Sequence, residues 1–147
     1  YTAVAPEKYF PPKEIVDKCK EIAKETGAVI KLESDVGKAV EKADVIYTDV
    51  WVSMGEKEEV WKERIKDLLP YQVNSSVMEK AGKDAIFLHC LPSFHDLETE
   101  IGVDIFNKYG LSAMEVTDDV FQSPASLVFD EAENRMHTIK AVMALTL

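Results

Sequence analysis

Two features of the sequence predict an α/β chain built on a mostly parallel sheet. Short apolar runs of strand length alternate with segments of helix length, and several of those runs end in polar or chemically reactive residues. Strands separated by helices form βαβ units, whose strands lie parallel and whose crossovers are right-handed. At 147 residues and 46% hydrophobic, the chain is long enough to bury one core and reads as one domain. It contains no internal repeat, low-complexity tract or flexible linker.

The elements follow in order. Residues 1–5 form the first strand, closed by Pro6. Pro12 opens a helix that runs to about Thr26, where Gly27 stops it. Ile15, Val16, Cys19, Ile22 and Ala23 share one face of that helix, which places Cys19 in the core. Residues 28–32 are the next strand, followed by a short helix over 35–42. Val45-Ile46-Tyr47 make the third strand, ending at Asp49, and a helix over 56–69 succeeds it. Asn74 or Ser75 caps a short helix that stops at Gly82. The run Ala85-Ile86-Phe87-Leu88, a buried strand, leads into His89-Cys90-Leu91-Pro92. Beyond it lie a helix through 101–109, a short strand at Met114-Glu115-Val116, and a final helix over about 124–146.

Composition excludes several classes of function. The formal net charge of −10 argues against nucleic acid, because neutralising phosphates takes clustered Lys and Arg. A cationic ligand such as an amine or amino acid suits this surface better. No apolar stretch approaches the ~20 residues that span a bilayer, and two distant cysteines show no disulfide framework. A soluble, cytoplasmic protein without metal or cofactor is the expectation. Tyr1 opens the sequence without an initiator methionine or a signal segment, so the chain reads as part of a longer protein.

Ligands of open α/β sheets collect outside the carboxyl ends of the strands. Cys90 stands at such an end, in a loop that Pro92 stiffens. A free cysteine is more often a small buried hydrophobe than a reactive group, but this address favours chemistry. His89 points to the other side of the strand and is not paired with Cys90 as a dyad. Asp49 ends the third strand in the same crevice, and Ser53-Met54-Gly55 follow it as a loop. The carboxylate suits an ammonium group and the serine hydroxyl suits a polar neighbour; alternatively, Asp49 only satisfies turn donors. Cys90, His95 and Asp96 match no common zinc spacing. In the last helix Arg135 is either a planar donor fork for an oxygen-rich ligand or the surface partner of Glu131 at i, i+4.

Taken together these segments resemble the ornithine carbamoyltransferases. The similarity rests on Asp49 with Ser53-Met54-Gly55, on His89-Cys90-Leu91-Pro92 followed by Phe94-His95-Asp96, and on residues 129–137, Phe-Asp-Glu-Ala-Glu-Asn-Arg-Met-His. It covers essentially the whole chain. The related aspartate enzymes are expected to carry Pro-Leu-Pro-Arg in place of Cys-Leu-Pro. The resemblance implies that Asp49, Ser53 and Met54 hold the α-amino end of L-ornithine, and that Cys90 is a catalytic residue beside the reacting δ-amine, either accepting its proton or orienting it. It also implies that Cys90 and Leu91 line the carbamoyl phosphate site and that Arg135 addresses the carbamoyl oxygen. The implied fold is a doubly wound, Rossmann-like sheet of order 3-2-1-4-5, here incomplete. Its first strand and the whole carbamoyl-phosphate domain are missing, leaving a hole between the strands at 1–5 and 45–48. The final helix is then expected to pack on the missing domain, the piece alone to be inactive, and the full protein to be a homo-oligomer, commonly a trimer. A non-catalytic amino-acid-binding module and a carbamoyltransferase for another diamine, such as putrescine, are the alternatives.

Overall fold

The computed structural model describes residues 1–53 and 55–147. β1 (Thr2–Val4) and β2 (Lys31–Glu33) pair in parallel, with Thr2 opposite Lys31 and Val4 opposite Glu33. β3 (Val45–Thr48) and β4 (Ile86–His89) form a second parallel pair, running from Val45 opposite Ile86 to Thr48 opposite His89. Among the described residues no ladder joins β1 to β3. The expected interruption of the doubly wound sheet therefore falls between those two strands.

Local chemistry sets the helices. α1 (Lys13–Thr26) ends where Gly27 adopts φ 76° and donates its N–H to the Ala23 carbonyl, the left-handed cap that glycine takes without Cβ strain. α2 (Val36–Ala39) and α4 (Ser75–Ala81) start at Asp35 and Asn74, whose side chains accept from Lys38 N and Val77 N at 3.1 Å each. α3 (Glu58–Leu68) fills the crossover between β3 and β4 together with α4. Thr99 Oγ1 caps α5 (Glu100–Tyr109) by accepting from Gly102 N at 3.1 Å. α6 (Asp118–Phe121) and α7 (Val128–Thr146) complete the chain.

The structure departs from the sequence reading at several places. Cys19 is exposed, not buried. On the α1 face only Val16 and Ala23 are covered, while Ile15 and Ile22 stay more than half exposed. The second strand begins at Lys31, whose N–H donates to the Tyr1 carbonyl at 3.0 Å as the first bond of the Thr2–Lys31 pair. Met114-Glu115-Val116 is a single bridge, Val73 to Val116, with no strand on either side of it. It stops there because Thr117 turns into α6, a helix the sequence pattern did not suggest. Residues 124–127 do not belong to the last helix. They run beside β4, with Phe87 N donating to Ala125 O at 2.8 Å and Leu127 N to Phe87 O at 3.0 Å.

Two buried clusters result. One gathers Val40, Ile46, Phe87, Val116, Phe121 and Val128 under the β3–β4 pair. The other joins Trp51, Val52, Ile65, Ile105 and Met114 between α3 and α5. Phe87 is fully buried at the centre of the first. Phe87→Ala should cost about 3–5 kcal/mol of stability, read as a lower midpoint in urea unfolding.

Candidate active site

The register of β3 and β4 builds the site. Thr48 lies opposite His89, so the next residues, Asp49 and Cys90, emerge side by side at the carboxyl ends of adjacent strands. The Cys90 thiol donates to Asp49 Oδ1 at 2.9 Å, and the same oxygen accepts from Val50 N at 2.7 Å. Asp49 thus satisfies a turn donor and engages the cysteine together. Burial, and then the hydrogen bond and negative charge of Asp49, push the Cys90 thiol up to about 11. At neutral pH it is a protonated, hydrogen-bonding group and not a thiolate.

The loop after Asp49 is pinned from below. Trp51 and Val52 are buried in the second cluster, and Arg64 Nη1 donates to the Trp51 carbonyl at 3.1 Å. Ser53 follows as an exposed residue, its carbonyl accepting from Glu56 N at 3.2 Å. Gly55 has φ 90°, a conformation that side chains resist. Met54 lies outside the described residues. Across the site Leu91 is partly exposed, and the Leu91–Pro92 peptide is cis.

His89 faces away from Cys90's side of the strand, as alternation requires, and is fully buried. Its Nε2 lies 3.1 Å from Oε1 of Glu115, which is also fully buried, and its Nδ1 faces the Cys90 carbonyl. Burial by itself lowers the imidazole, but Glu115 and the Cys90 carbonyl reverse this and hold it above its ordinary value. Glu115 is the residue that sequence reasoning missed; an acidic residue between the apolar Met114 and Val116 was its only signal.

Arg135 stands apart from this group. It is exposed on α7 and makes no ion pair among the described residues. Of the two roles open to Arg135, the i, i+4 ion pair with Glu131 does not form. Glu131 Oε2 instead accepts from His89 N at 3.1 Å, stitching α7 to the end of β4. Arg135 follows one turn later on the same face of the helix. His95 and Asp96 also part from Cys90. His95 Nδ1 lies 2.8 Å from Asp118 Oδ1 and 3.4 Å from Asp96 Oδ2, with its ring stacked on Phe121. These three side chains are grouped closely enough to share a cation, with no thiol among them.

Two outcomes are expected. Alkylation of Cys90 rises with pH toward a midpoint near 11, and Asp49→Asn moves that midpoint down, as the pH-dependent rate at the Cys90 peptide measures. For His89 the folded value lies above the unfolded one, so its contribution to stability is complete below about pH 6.5 and is lost as the pH rises through the folded value. Unfolding midpoints fall across that window, and His89→Gln flattens the fall.

Comparison with known proteins identifies the family. Residues 1–146 match the family model "Aspartate/ornithine carbamoyltransferase, Asp/Orn binding domain". The chain is 59% identical over 145 residues to an ornithine carbamoyltransferase of Staphylococcus aureus strain Newman, covering 98% of this chain and 44% of that protein. It is 57% identical over 147 residues to a catabolic ornithine carbamoyltransferase of Treponema denticola, covering 100% and 44%. The solved ornithine carbamoyltransferase of Pyrococcus furiosus superposes with a TM-score of 0.81 at 42% identity, covering 98% of this chain and 40% of that one. The chain thus spans less than half the length of the relatives it matches. By fold, by its strand-end residues and by these matches, the chain belongs to the aspartate/ornithine carbamoyltransferase family, as its Asp/Orn-binding domain.

Proposed function

We propose that the chain is the ornithine-binding half of an enzyme that moves the carbamoyl group of carbamoyl phosphate to the δ-amine of L-ornithine, giving citrulline and phosphate. The observation that carries this reading is the Cys90 thiol held on Asp49 beside the Ser53 loop, at the carboxyl ends of adjacent parallel strands. The names of the matched relatives support it. In this reading the Asp49 carboxylate, Ser53 and Met54 take the α-amino end of ornithine, an amino acid whose positive charge suits an acidic surface. The neutral δ-amine attacks the carbamoyl carbon, a C–N bond forms, and a tetrahedral intermediate results. The C–O bond to phosphate then breaks, and the proton lost by the amine leaves with the phosphate or with solvent.

A thiol raised to about 11 is a poor proton acceptor at neutral pH. Cys90 therefore orients the amine, and with Leu91 lines the carbamoyl phosphate site. Arg135 stabilises the negative charge that builds on the carbamoyl oxygen. The grip on phosphate belongs to the carbamoyl-phosphate domain, on which the exposed face of α7 packs. A homotrimeric assembly and a cytoplasmic home complete the reading; the first rests on the resemblance, the second on two free cysteines.

The experiment is an assay of the full-length protein for citrulline, with ornithine compared against putrescine. Turnover with ornithine supports the reading, and a preference for putrescine replaces it with the sister activity. Arg135→Gln lowers kcat by about 10²–10³. Cys90→Ser lowers kcat more than it weakens carbamoyl phosphate binding. Residues 1–147 alone yield no meaningful turnover.

A further inference from the structure

We propose that Glu115 and His89 are positioning residues that hold the Cys90 loop in its working shape. The geometry stands by itself, while its catalytic purpose rests on the transferase reading above. A single carboxylate oxygen, Glu115 Oε1, takes the His89 ring at 3.1 Å and the Phe94 backbone N–H at 2.8 Å. His89 and Phe94 bracket residues 90–93, so one oxygen closes that loop at both ends. The second ring nitrogen of His89 donates to the Cys90 carbonyl, fixing the peptide plane next to the thiol. Phe94 O in turn accepts from Met114 N at 2.8 Å, and Glu115 O from Val73 N at 2.9 Å. The clamp is thereby anchored to the rest of the fold.

The chemistry of the clamp is demanding. Two acceptors face the two ring nitrogens, and an imidazole serves both only as the imidazolium. The charged groups around it all favour that state: Glu115 from the bridge segment, Glu131 from α7 against the His89 N–H, and Asp49 from the end of β3. Yet burying an ion pair is costly, and a packed apolar pair of equal volume stabilises a core as well or better. Moreover, Glu115 Oε2 and Ser93 Oγ are buried without a hydrogen-bond partner among the described residues. A scaffold alone does not call for these features. They follow from the need to point the Cys90 sulfur at Asp49.

The test is a double-substitution cycle on the full-length protein, reading Cys90 alkylation against pH at its own peptide by mass spectrometry. In the wild-type background Asp49→Asn moves the midpoint down. In the His89→Gln background the loop no longer holds the sulfur on Asp49, and Asp49→Asn leaves the midpoint where it is. Turnover of His89→Gln falls about 100-fold, with KM for carbamoyl phosphate nearly unchanged. Should His89→Gln fail to fold, Glu115→Gln enters the same cycle, since it keeps an acceptor for Phe94 and removes the charge that supports the imidazolium. An equal Asp49→Asn shift in both backgrounds, or an unchanged kcat, overturns the proposal. A wild-type protein that makes no citrulline overturns the transferase reading alone, because the alkylation cycle still decides the clamp.

Discussion

The site depends on the parallel pairing of β3 with β4. Four residue pairs, from Val45–Ile86 to Thr48–His89, set the register, and Asp49, His89 and Cys90 take their places from it. Side chains along a strand alternate between faces. The same pairing therefore sends Phe87 and His89 inward and brings Asp49 and Cys90 together at the rim. A slip of one residue would exchange those faces and expose the buried His89 ring. Burial of Ile46 and Phe87 in one cluster makes such a slip prohibitive, so the packing of the core and the alignment of the site are a single constraint.

The rim itself was legible in the sequence. Val45-Ile46-Tyr47 and Ala85-Ile86-Phe87-Leu88 announce buried strands, and the residues that end them fall where ligands of parallel sheets collect. The inward turn of His89 followed from alternation alone. What was not legible is whatever depends on partners distant in sequence. Glu115 meets His89 across 26 positions, and no local pattern reports such a pairing. Cys19 illustrates the opposite error. Periodicity identifies the apolar side of α1 but not whether anything covers it, and here little does. Likewise Glu131 and Arg135 have the spacing of an ion pair, yet the unpaired N–H at the end of β4 takes the carboxylate first. A buried backbone donor without a partner costs more than a solvent-exposed ion pair returns.

Electrostatics divides the site into two zones. Below the sheet rim the His89 ring sits between the Glu115 carboxylate and the Cys90 carbonyl in a fully buried pocket. Above it, a neutral thiol leans on an exposed carboxylate. The buried zone supplies fixed geometry, and the exposed zone meets incoming ligand. A net charge of −10 spread over the chain adds a long-range bias toward cations, screened beyond about 8–10 Å at physiological salt.

Among the described residues α7 is fastened at its N-terminal end. Its first turn is tied to β4 through Leu127 and Glu131, while Met136, Ile139, Val142 and Met143 farther along stay at least half exposed. Mechanically this makes the helix a lever with its fulcrum near Val128. At 1.5 Å per residue Arg135 rides about 11 Å from the fulcrum, and the far end about 27 Å. A tilt of about 10° would carry the guanidinium's backbone roughly 2 Å but the tip nearly 5 Å. Whatever seats the distal half is thereby free to vary in position, while the arginine, close to the pivot, is displaced least.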